Sequence, residues 1–484
     1  MFSARNASIQ LFELFSDFDG INPPVECSYF QINSKQVIFL PPICLEGMPP
    51  HTLSNSCNFK LHNSTTKGPA MHKTLLALTS RFESTQPHHR LWWVKILILV
   101  VFALATVGVT WTHNHTDAAT GTKSQKLPVA IPKGIPVDLF ESLIPKDNPL
   151  TPEKIALGEK LFFDKRLSAD RTVSCATCHD PAMGFADGNM VGIGIELKKG
   201  ARNSPTILNA MFNEAQFWDG RAPSLEEQSK LPLINPLEMG MKDHAQVVER
   251  VKEVPEYKAE FAKVFGNEGI TIDTIARAIA SFERTQLSGD APFDRFIAGD
   301  QNAISESAKR GWELYNGQAR CISCHAFNPS NPFFTDFKFH NIGVAAKDQN
   351  FPALARKSRQ LIAQGKDSAQ VVDELALQPG FSELGRYLIT KQPKDIGAFK
   401  TSMLRDIELT APYMHNGSEK TLLDVVKFYD KGGELNPNLD GGMRPLKMTD
   451  AQMNDLVEFL KTLTSDTSRQ RMQALKPQTR EPAK

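Results

Sequence analysis

The sequence predicts a mainly α-helical protein of two similar halves that follow an apolar N-terminal segment. Apolar residues recur at the spacing of an amphipathic helix near the end of each half, over residues 272–282 and over 456–463 behind a capping box at 449–452. A short string is also repeated, as GEKLF at 158–162 and GWELY at 311–315. Because 484 residues are enough for two or three domains, we expect each half to form a helical domain.

The composition excludes some classes of function. Hydrophobic residues make up 41% and charged residues 23% of the chain, as in ordinary globular proteins. The chain has 55 Lys and Arg residues against 54 Asp and Glu residues, so no strong overall field draws it to nucleic acids. We therefore expect a folded protein that does not bind nucleic acid.

Residues 91–111 form a strongly apolar run, LWWVKILILVVFALATVGVTW, which is about as long as a helix that crosses a bilayer. Lys and Arg residues precede this run, so the positive-inside tendency places the N-terminus in the cytoplasm and the rest of the chain outside. The favoured interpretation is an inner-membrane anchor with a periplasmic body. The alternative is the core of a secretion signal, because residues 103–105 are Ala-Leu-Ala, a pattern that signal peptidases cleave.

The rest of the chain divides by composition. Residues before the apolar run have no clear periodicity, and Met71 within them is a plausible alternative start; an ordinary cytoplasmic tail is the other interpretation. Residues 347–379 are rich in Ala, Gln and Lys and are expected to form a helical insert on the surface. The expected segments are the extension 1–90, the apolar segment 91–111, a linker 112–135, a first domain 136–300, a second domain 301–465 and a polar tail 466–484.

Two motifs carry the chemistry of the chain. Residues 175–179 read CATCH and residues 321–325 read CISCH, and both match the spacing CxxCH. In this spacing two thiols form thioethers with the vinyl groups of a haem, and the histidine that follows reaches the iron. A thioredoxin-like CxxC needs a βαβ setting that is absent here, and a zinc site is the remaining alternative. The sequence therefore predicts two covalent c-type haems, one in each half, at Cys175, Cys178, His179, Cys321, Cys324 and His325.

Residues 136–465 resemble the bacterial dihaem cytochrome c peroxidase and MauG family. The resemblance covers both halves and implies two cytochrome c-like helical domains, each around one haem, with a calcium ion between them. It also implies a peroxidase that acts on hydrogen peroxide. The strings that carry it are LGEKLFFDKRLSADRTVSCATCHDPAMGFADG, RNSPTILNAMFNEAQFWDGRAPSLEEQ, NPLEMG, FHNIGV and LRDIELTAPYMHNG.

The resemblance implies that the haem on His179 reacts with peroxide and that Glu238 is the distal acid. A carboxyl group suits this role, because it can take a proton from one peroxide oxygen and deliver it to the other. Gln228 and Pro232 match positions that line the same pocket. Trp218 matches the tryptophan that lies between the two haems and relays electrons; its alternative role is that of a core aromatic residue.

The resemblance also implies calcium ligands, namely Asn203 and the backbone carbonyl groups of Thr410 and Pro412. These are oxygen ligands of the kind that a hard cation prefers. Calcium is therefore an expected cofactor beside the two haems.

Two departures from the ordinary peroxidase pattern favour the MauG-like subgroup. Many dihaem peroxidases carry a blocking histidine in the loop that corresponds to residues 191–199, but here that loop is VGIGIELKK, so the first haem should be open to peroxide. The axial methionine of those peroxidases falls on Tyr429, and MauG-like proteins have tyrosine there. A phenolate favours high oxidation states of the second haem. The competing candidates for this ligand are Met403, Met414, Met443 and Met448, whereas His340 and His415 are expected to be structural or second-shell residues.

Three functions are consistent with these residues. The favoured hypothesis is a MauG-like peroxidase in which two haems share oxidising equivalents and a partner protein can supply the electrons. The alternative is an ordinary cytochrome c peroxidase that receives electrons from a small cytochrome c or a quinol pool. A membrane-anchored electron-transfer cytochrome without catalysis is a third interpretation. A homodimer is a further possibility for any of the three.

Overall fold

The computed structural model describes residues 29–33, 36–39, 127–365 and 368–475. The first two ranges are strands β1 (Tyr29–Asn33) and β2 (Gln36–Phe39), which pair antiparallel. The apolar segment 91–111 and the alternative start at Met71 lie outside the described residues. Within the described residues, no helix combines the length and the apolar character needed to cross a membrane.

The first half of the body, which begins near residue 127, is helical, as predicted. The helices are α1 (Val137–Ser142), α2 (Pro152–Phe163), α3 (Cys175–Cys178), α4 (Leu225–Ile234), α5 (His244–Lys252), α6 (Pro255–Phe265) and α7 (Ile272–Glu283). These helices start at side-chain caps or at prolines. In α2 the Thr151 side chain accepts a hydrogen bond from the Lys154 amide, and Pro152 is the first helical residue. In α7 Thr271 forms a capping box with Thr274.

The second half repeats this architecture and adds a two-residue antiparallel pair of strands, β3 (Phe339–His340) with β4 (Phe399–Lys400). The predicted capping box between Thr449 and Gln452 begins its last core helix. The helices are α8 (Pro292–Ile297), α9 (Glu306–Asn316), α10 (Phe351–Gln364), α11 (Ser368–Ala376), α12 (Tyr387–Thr390), α13 (Leu422–Asp430), α14 (Asp450–Lys461) and α15 (Asp466–Leu475).

The repeated strings lie at equivalent helix crossings. In the first half α2 packs on α7, and in the second half α9 packs on α14. Each crossing brings a glycine against the backbone of the partner helix: a Cβ atom on Gly158 would lie 1.9 Å from the carbonyl oxygen of Ala278, and one on Gly311 would lie 2.0 Å from that of Asp455. The repeat in the sequence therefore records a shared requirement for close helix packing.

Replacing Gly158 or Gly311 with alanine should destabilise the protein by about 1–3 kcal/mol, because the added methyl group forces the two helices apart. Urea unfolding of the haem-loaded protein measures this loss. Gly441→Ala is the matched control, since a Cβ atom there meets no other atom within 4 Å. Equal unfolding midpoints for Gly158→Ala and Gly441→Ala would contradict the packing explanation.

Buried apolar residues form three clusters. The first joins α1 through α7, with residues such as Leu157 and Ile279 at 1% and 0% exposure. The second begins at Phe293 in α8 and runs to Leu463 in the segment after α14. The second cluster includes Phe293, which lies before residue 300, and the first includes Phe333, which lies after it, so the predicted division near residue 300 stays a prediction.

The third cluster belongs to the insert. Residues 347–379 are helical as predicted, because α10 and α11 occupy most of them. Their apolar faces pack on each other and on residues 381–396, where Leu384 and Leu388 are fully buried. Many residues of α10 are exposed, as expected for an insert on the surface, and the inner faces of these helices form a small core of their own. Packing between separate chain segments, which composition does not encode, produces that core.

Candidate active site

The first CxxCH motif folds as a single turn of helix. Ser174 and Thr177 cap this turn, α3, and the His179 amide donates to the Cys175 carbonyl oxygen at 2.9 Å. The Nδ1 atom of His179 donates to the Phe185 carbonyl oxygen at 3.3 Å. Because Nδ1 carries the proton, Nε2 keeps its lone pair for a metal ion.

The second motif repeats this geometry from a 3₁₀ turn, Cys321–Ser323. The His325 amide donates to the Cys321 carbonyl oxygen at 2.8 Å, and Nδ1 donates to the Phe334 carbonyl oxygen at 3.0 Å. Burial lowers the pKa of His179 and of His325, which favours the neutral imidazole that binds iron. The residues of both motifs therefore fit a covalently attached haem.

One cavity lies over the first motif. It brings Cys175, Cys178 and His179 together with Glu238, Gln228 and Pro232, so the predicted pocket residues share one space with the predicted iron ligand. Gln228 and Pro232 come from α4, and Glu238 follows that helix in a turn whose Asn235 side chain donates to the Glu238 carboxylate at 2.7 Å.

The environment of Glu238 favours its protonated form. Desolvation inside the cavity raises the pKa of Glu238, and the charge of Arg221 and the hydrogen bond from Asn235 oppose the shift without cancelling it. A carboxyl with a raised pKa holds its proton at a higher pH than an exposed carboxyl does. A group of this kind is suited to the acid role that the resemblance implies for Glu238.

The loop at residues 191–199 contacts Glu238 and contributes Gly192 and Gly194 to the lining of the cavity. The Ile195 amide donates to the Glu238 carbonyl oxygen at 2.8 Å. Among the described residues that line this cavity, His179 is the only histidine. Met239 and Met403 also line it, so sulfur atoms rather than a second imidazole are the soft groups near the first haem position.

A second cavity lies over the other motif and contains Tyr429, which α13 carries. Burial raises the pKa of Tyr429, so a bound metal ion has to offset the cost of forming the phenolate. No described residue hydrogen-bonds to the Tyr429 hydroxyl, which leaves its oxygen available inside the cavity. The four competing methionines, Met403, Met414, Met443 and Met448, line the same cavity.

Trp218 lines both cavities. Its indole Nε1 donates to the Asn203 carbonyl oxygen at 2.9 Å, and its own carbonyl oxygen accepts from the Lys400 amide of β4 at 2.8 Å. Two different parts of the chain therefore fix the ring between the two haem positions, the location that the resemblance predicts for an electron relay.

A buried ion network fixes the loop that carries Trp218. Asp219 is fully buried and pairs with Arg202 at 2.6 Å and with Arg221 at 3.0 Å. Arg202 also donates to the Ser382 carbonyl oxygen at 2.7 Å, which links this loop to the segment after the insert. Burial alone would raise the pKa of Asp219, but Arg221 and Arg202 outweigh it and hold the pKa at about 2.

Replacing Asp219 with asparagine should cost about 3–5 kcal/mol of stability at neutral pH, because two largely buried guanidinium groups lose their counter-charge. Urea unfolding of the haem-loaded protein tests this. Asp273→Asn is the control, since that carboxylate is 66% exposed and its pair with Lys230 should contribute at most about 1 kcal/mol. Equal losses in the two variants would contradict the role of the network.

The ion network around Asp219 also predicts that the stability depends on pH. The folded-state pKa of Asp219 is depressed, so its contribution is complete above the unfolded value near 3.8 and is lost as the pH falls through about 2. The shift corresponds to about 2 kcal/mol. Asp219→Asn should lack this part of the acid destabilisation in unfolding measured as a function of pH.

The predicted calcium ligands Asn203, Thr410 and Pro412 all line the second cavity. The Asn203 side-chain nitrogen donates to the Asn189 carbonyl oxygen at 2.9 Å, so its amide oxygen is the atom left for a cation. The Asn203 amide also donates to the His415 carbonyl oxygen at 2.7 Å, which ties the two strings of the resemblance together.

The two other histidines that line the second cavity, His340 and His415, both form hydrogen bonds with carboxylate side chains. His340 lies between Asp440, at 2.7 Å from Nδ1, and Asp336, at 2.9 Å from Nε2. Hydrogen bonds that His340 donates to the Cys324 sulfur and to these two carboxylates raise the pKa of His340 to about 10. Nε2 of His415 bonds Glu383 at 2.6 Å, and the His415 ring stacks on Phe399.

Other cavity-lining residues were not foreseen. Glu283 at the end of α7 and Lys400 of β4 line the first cavity, and Lys400 lines the second as well. Glu283 had a signal in the sequence, because it continues the apolar stripe of α7 in helical register; Lys400 had none. Ala376 and Leu377, at the end of α11, also line the first cavity, so the insert reaches the predicted peroxide site.

Comparison with known proteins identifies the family. A family model described as di-haem cytochrome c peroxidase matches residues 152–302. The methylamine utilization protein MauG of Methylorubrum extorquens is 38% identical over 383 residues, which are 77% of this chain and 96% of that protein. The cytochrome-c peroxidase IdrP1 of Pseudomonas sp. (strain SCT) is 36% identical over 364 residues, 75% of this chain and 90% of that protein.

Solved structures agree with this relationship. A MauG-like protein associated with microbial copper homeostasis is 32% identical, with a TM-score of 0.56 over 71% of this chain and 96% of that one. The diheme peroxidase BthA from Burkholderia thailandensis, at 23% identity and a TM-score of 0.52 over 69% of this chain and 90% of that one, shares the fold. With its two haem-attachment motifs, each below a cavity, the chain belongs to the di-haem cytochrome c peroxidase and MauG family of c-type haem peroxidases.

Proposed function

We propose that this peroxidase is MauG-like: its first haem reacts with hydrogen peroxide without prior reduction, and its two haems share the oxidising equivalents. Tyr429 is the observation that carries the proposal. Tyr429 lines the second cavity and no described residue hydrogen-bonds to its hydroxyl, whereas the hydroxyl of Tyr413 in the same cavity donates to the Ile407 carbonyl oxygen at 3.0 Å. A phenolate ligand would stabilise the oxidised forms of the second haem.

The residues of the first cavity have different roles in the reaction with peroxide. The haem there supplies the redox chemistry once it is bound. Glu238 receives a proton from the peroxide oxygen nearer the iron and returns it to the departing oxygen, while the Asn235 amide holds the carboxylate in place at 2.7 Å. Gln228 and Pro232 of α4 orient peroxide and limit the room for water.

Trp218 and its supports couple the two cavities. An indole is readily oxidised, and the hydrogen bond from Nε1 to the Asn203 carbonyl oxygen keeps this ring between the two haem positions. Lys400 places an amine beside both cavities; burial lowers the pKa of Lys400 to about 7 while Asp219 opposes the shift, so the amine is only partly charged near neutral pH. Electrons from a donor can then reach either haem by a short path.

An electron paramagnetic resonance spectrum of the fully ferric protein, before and after one equivalent of peroxide, tests the proposal. We expect one high-spin and one low-spin haem, and both signals should decrease without prior reduction. Two low-spin haems that react only after half-reduction would overturn the proposal and reveal a distal ligand at the first haem.

The second candidate is an ordinary cytochrome c peroxidase with a small cytochrome c or a quinol pool as its electron donor. Four methionine side chains line the second cavity beside Tyr429, and each offers the thioether that such peroxidases use. A methionine ligand would give a high potential at the second haem and a charge-transfer band from sulfur to iron. A non-catalytic electron-transfer role is disfavoured by the presence of Glu238 in the first cavity.

We also propose a calcium ion at Asn203, Thr410 and Pro412. All three residues line the second cavity, Asn203 lines the first as well, and their neutral oxygen atoms are ligands of the kind that calcium accepts. Removal of calcium with a chelator should change the spectrum of the second haem, because the Thr410–Pro412 segment lines its cavity. Restoration by calcium and not by magnesium would support the site, and a spectrum unaffected by the chelator would contradict it.

The proposed location is the periplasm, where c-type haems are attached, with residues 91–111 as an inner-membrane anchor or a cleaved signal. The partners are hydrogen peroxide and an electron donor, which in the MauG-like case is a residue on a partner protein. A homodimer is also proposed. Fractionation of the expressed full chain, followed by N-terminal sequencing, distinguishes the anchor from the cleaved signal.

A further inference from the structure

The carboxyl group of Glu283 has an unusual position in the first cavity. The residue is 5% exposed, and it lines the cavity that holds Cys175 and His179. Its Oε2 atom is buried without a hydrogen-bond partner among the described residues. Leaving a carboxyl oxygen buried and unpaired costs free energy, so a purely structural role would be expected to supply a partner.

Glu283 and Glu238 lie near different parts of the same haem position. After burial, Glu283 is the group that most raises the pKa of the Cys175 thiol, and Glu238 does the same for Cys178. Both cysteines bond to the porphyrin rather than to iron. Glu283 is therefore the acid on the Cys175 side, separate from the acid that meets peroxide.

Three features favour the neutral form of Glu283. Burial raises the pKa of Glu283 to about 8; Arg284 opposes this shift, and Glu226 of α4 adds to it. Arg284 is itself paired with Glu226, at 2.7 Å, so its charge is largely compensated. Glu283 is also the last residue of α7, and the negative end of a helix dipole disfavours a carboxylate.

We propose that Glu283 exchanges a proton with the first haem cavity whenever the haem there changes its oxidation state. When one electron enters, the Glu283 carboxylate binds one proton from solvent; when the electron leaves, the carboxylic acid gives this proton to peroxide or returns it to solvent. The cavity then gains no net charge, which matters in a medium of low dielectric constant. Reduction of one hydrogen peroxide to two waters consumes two electrons and two protons, and Glu283 supplies one of these protons.

This inference rests on the membership of the haem peroxidase family and not on the identity of the ligand at Tyr429. Besides the haem-attachment residues, other titratable groups face the cavity, namely Glu238, Lys400, Arg202 and Arg221, so the experiment has to separate them from Glu283. Glu238 is separable because its loss should slow the reaction with peroxide. Lys400 is separable because it lines both cavities and should affect both haems.

The test is the midpoint potential of the high-spin haem, measured by spectroelectrochemistry over two pH units on either side of about pH 8. The potential should fall by up to about 59 mV per pH unit, which is the value for one proton per electron. Glu283→Gln keeps the shape of the side chain but cannot exchange a proton, so its potential should become nearly independent of pH in this range. A pH-independent wild-type potential, or an unchanged slope in Glu283→Gln, would overturn the proposal.

Glu226 offers a second, graded test with a matched control. Since Glu226 raises the pKa of Glu283, the variant Glu226→Gln should move the pH-dependent range to lower pH. Glu227→Gln, at the neighbouring exposed position of α4, should leave the range unchanged. A shift of equal size in both variants would contradict a specific effect on Glu283.

Infrared spectroscopy decides the question if Glu283→Gln does not assemble. In Glu238→Gln protein, reduction of the first haem should produce the C=O band of a carboxylic acid, and this band should shift in heavy water. Its absence would overturn the proposal independently of any peroxidase activity. Replacement of Tyr429 should leave the change of the first haem's midpoint potential with pH as it is in the wild type. The failure of this proposal can therefore be distinguished from the failure of the proposed function.

Discussion

Replacing Tyr429 with histidine should raise the midpoint potential of the second haem by on the order of 0.1 V, within the roughly 0.8 V range that axial ligands cover. A neutral imidazole can still complete the coordination of the iron, so this haem should stay low-spin. It stabilises the oxidised iron less than a phenolate does, so the state in which both haems share oxidising equivalents should be lost. Potentiometry, with electron paramagnetic resonance before and after peroxide, measures both effects.

Tyr413→Phe is the matched control for this prediction. Tyr413 lines the same cavity, but its hydroxyl already bonds the Ile407 carbonyl oxygen, so its loss should leave the potential of the second haem unchanged. If Tyr429→His leaves the potential and the shared state intact, Tyr429 is not the ligand. Single replacements of the four methionines by leucine would then identify which thioether binds the iron.

Regular helices could be predicted from the sequence because periodicity and capping are local. The stripe from Ile272 to Phe282 became α7, and the capping box at Thr449 and Gln452 begins α14. The paired glycines Gly158 and Gly311 had an equally local signal, although the carbonyl oxygens that exclude a side chain there lie more than a hundred residues away. The repeated glycines could therefore be seen in the sequence, but the helix contacts that require them could not.

Long-range packing explains what the sequence left open at the insert. Residues 347–379 read as a polar helical segment, and their helices were predicted correctly. Only the folded chain brings Ala376 and Leu377 to the first cavity and ties Arg202 to the Ser382 carbonyl oxygen. Neither contact leaves a mark in composition or in periodicity.

The candidate site was predicted where a long motif fixed each position. Glu238, Gln228 and Pro232 line the cavity of the first CxxCH motif, as the resemblance implied, and their catalytic roles remain predictions. The choice between Tyr429 and the methionines could not be made from spacing, because all of them line one cavity. The sequence did not predict Glu283 as a cavity residue, because a charged residue at the end of an apolar stripe is usually expected to be exposed to solvent.

Replacing Glu238 with glutamine should slow the reaction with peroxide by about 10²–10⁴-fold while leaving the haem content intact. An amide can keep the hydrogen-bonding geometry with Asn235, but it cannot accept a proton from one peroxide oxygen and pass it to the other. Without this carboxyl group, cleavage of the O–O bond depends on protons from water, which are transferred more slowly than from a carboxyl inside the cavity. Stopped-flow absorbance of the haem Soret band against peroxide concentration gives the second-order rate constant.

Glu227→Gln controls for the loss of one negative charge on α4, the helix that carries Gln228 and Pro232, since the Glu227 side chain is 51% exposed and paired with Lys230. Its rate constant should match that of the wild type. Glu238→Asp should retain part of the activity, because it keeps a carboxyl group at a longer distance from peroxide. A wild-type rate in Glu238→Gln would remove this residue from the mechanism, whereas a slow rate in both Glu238→Gln and Glu227→Gln would indicate an electrostatic effect on peroxide entry instead of proton transfer.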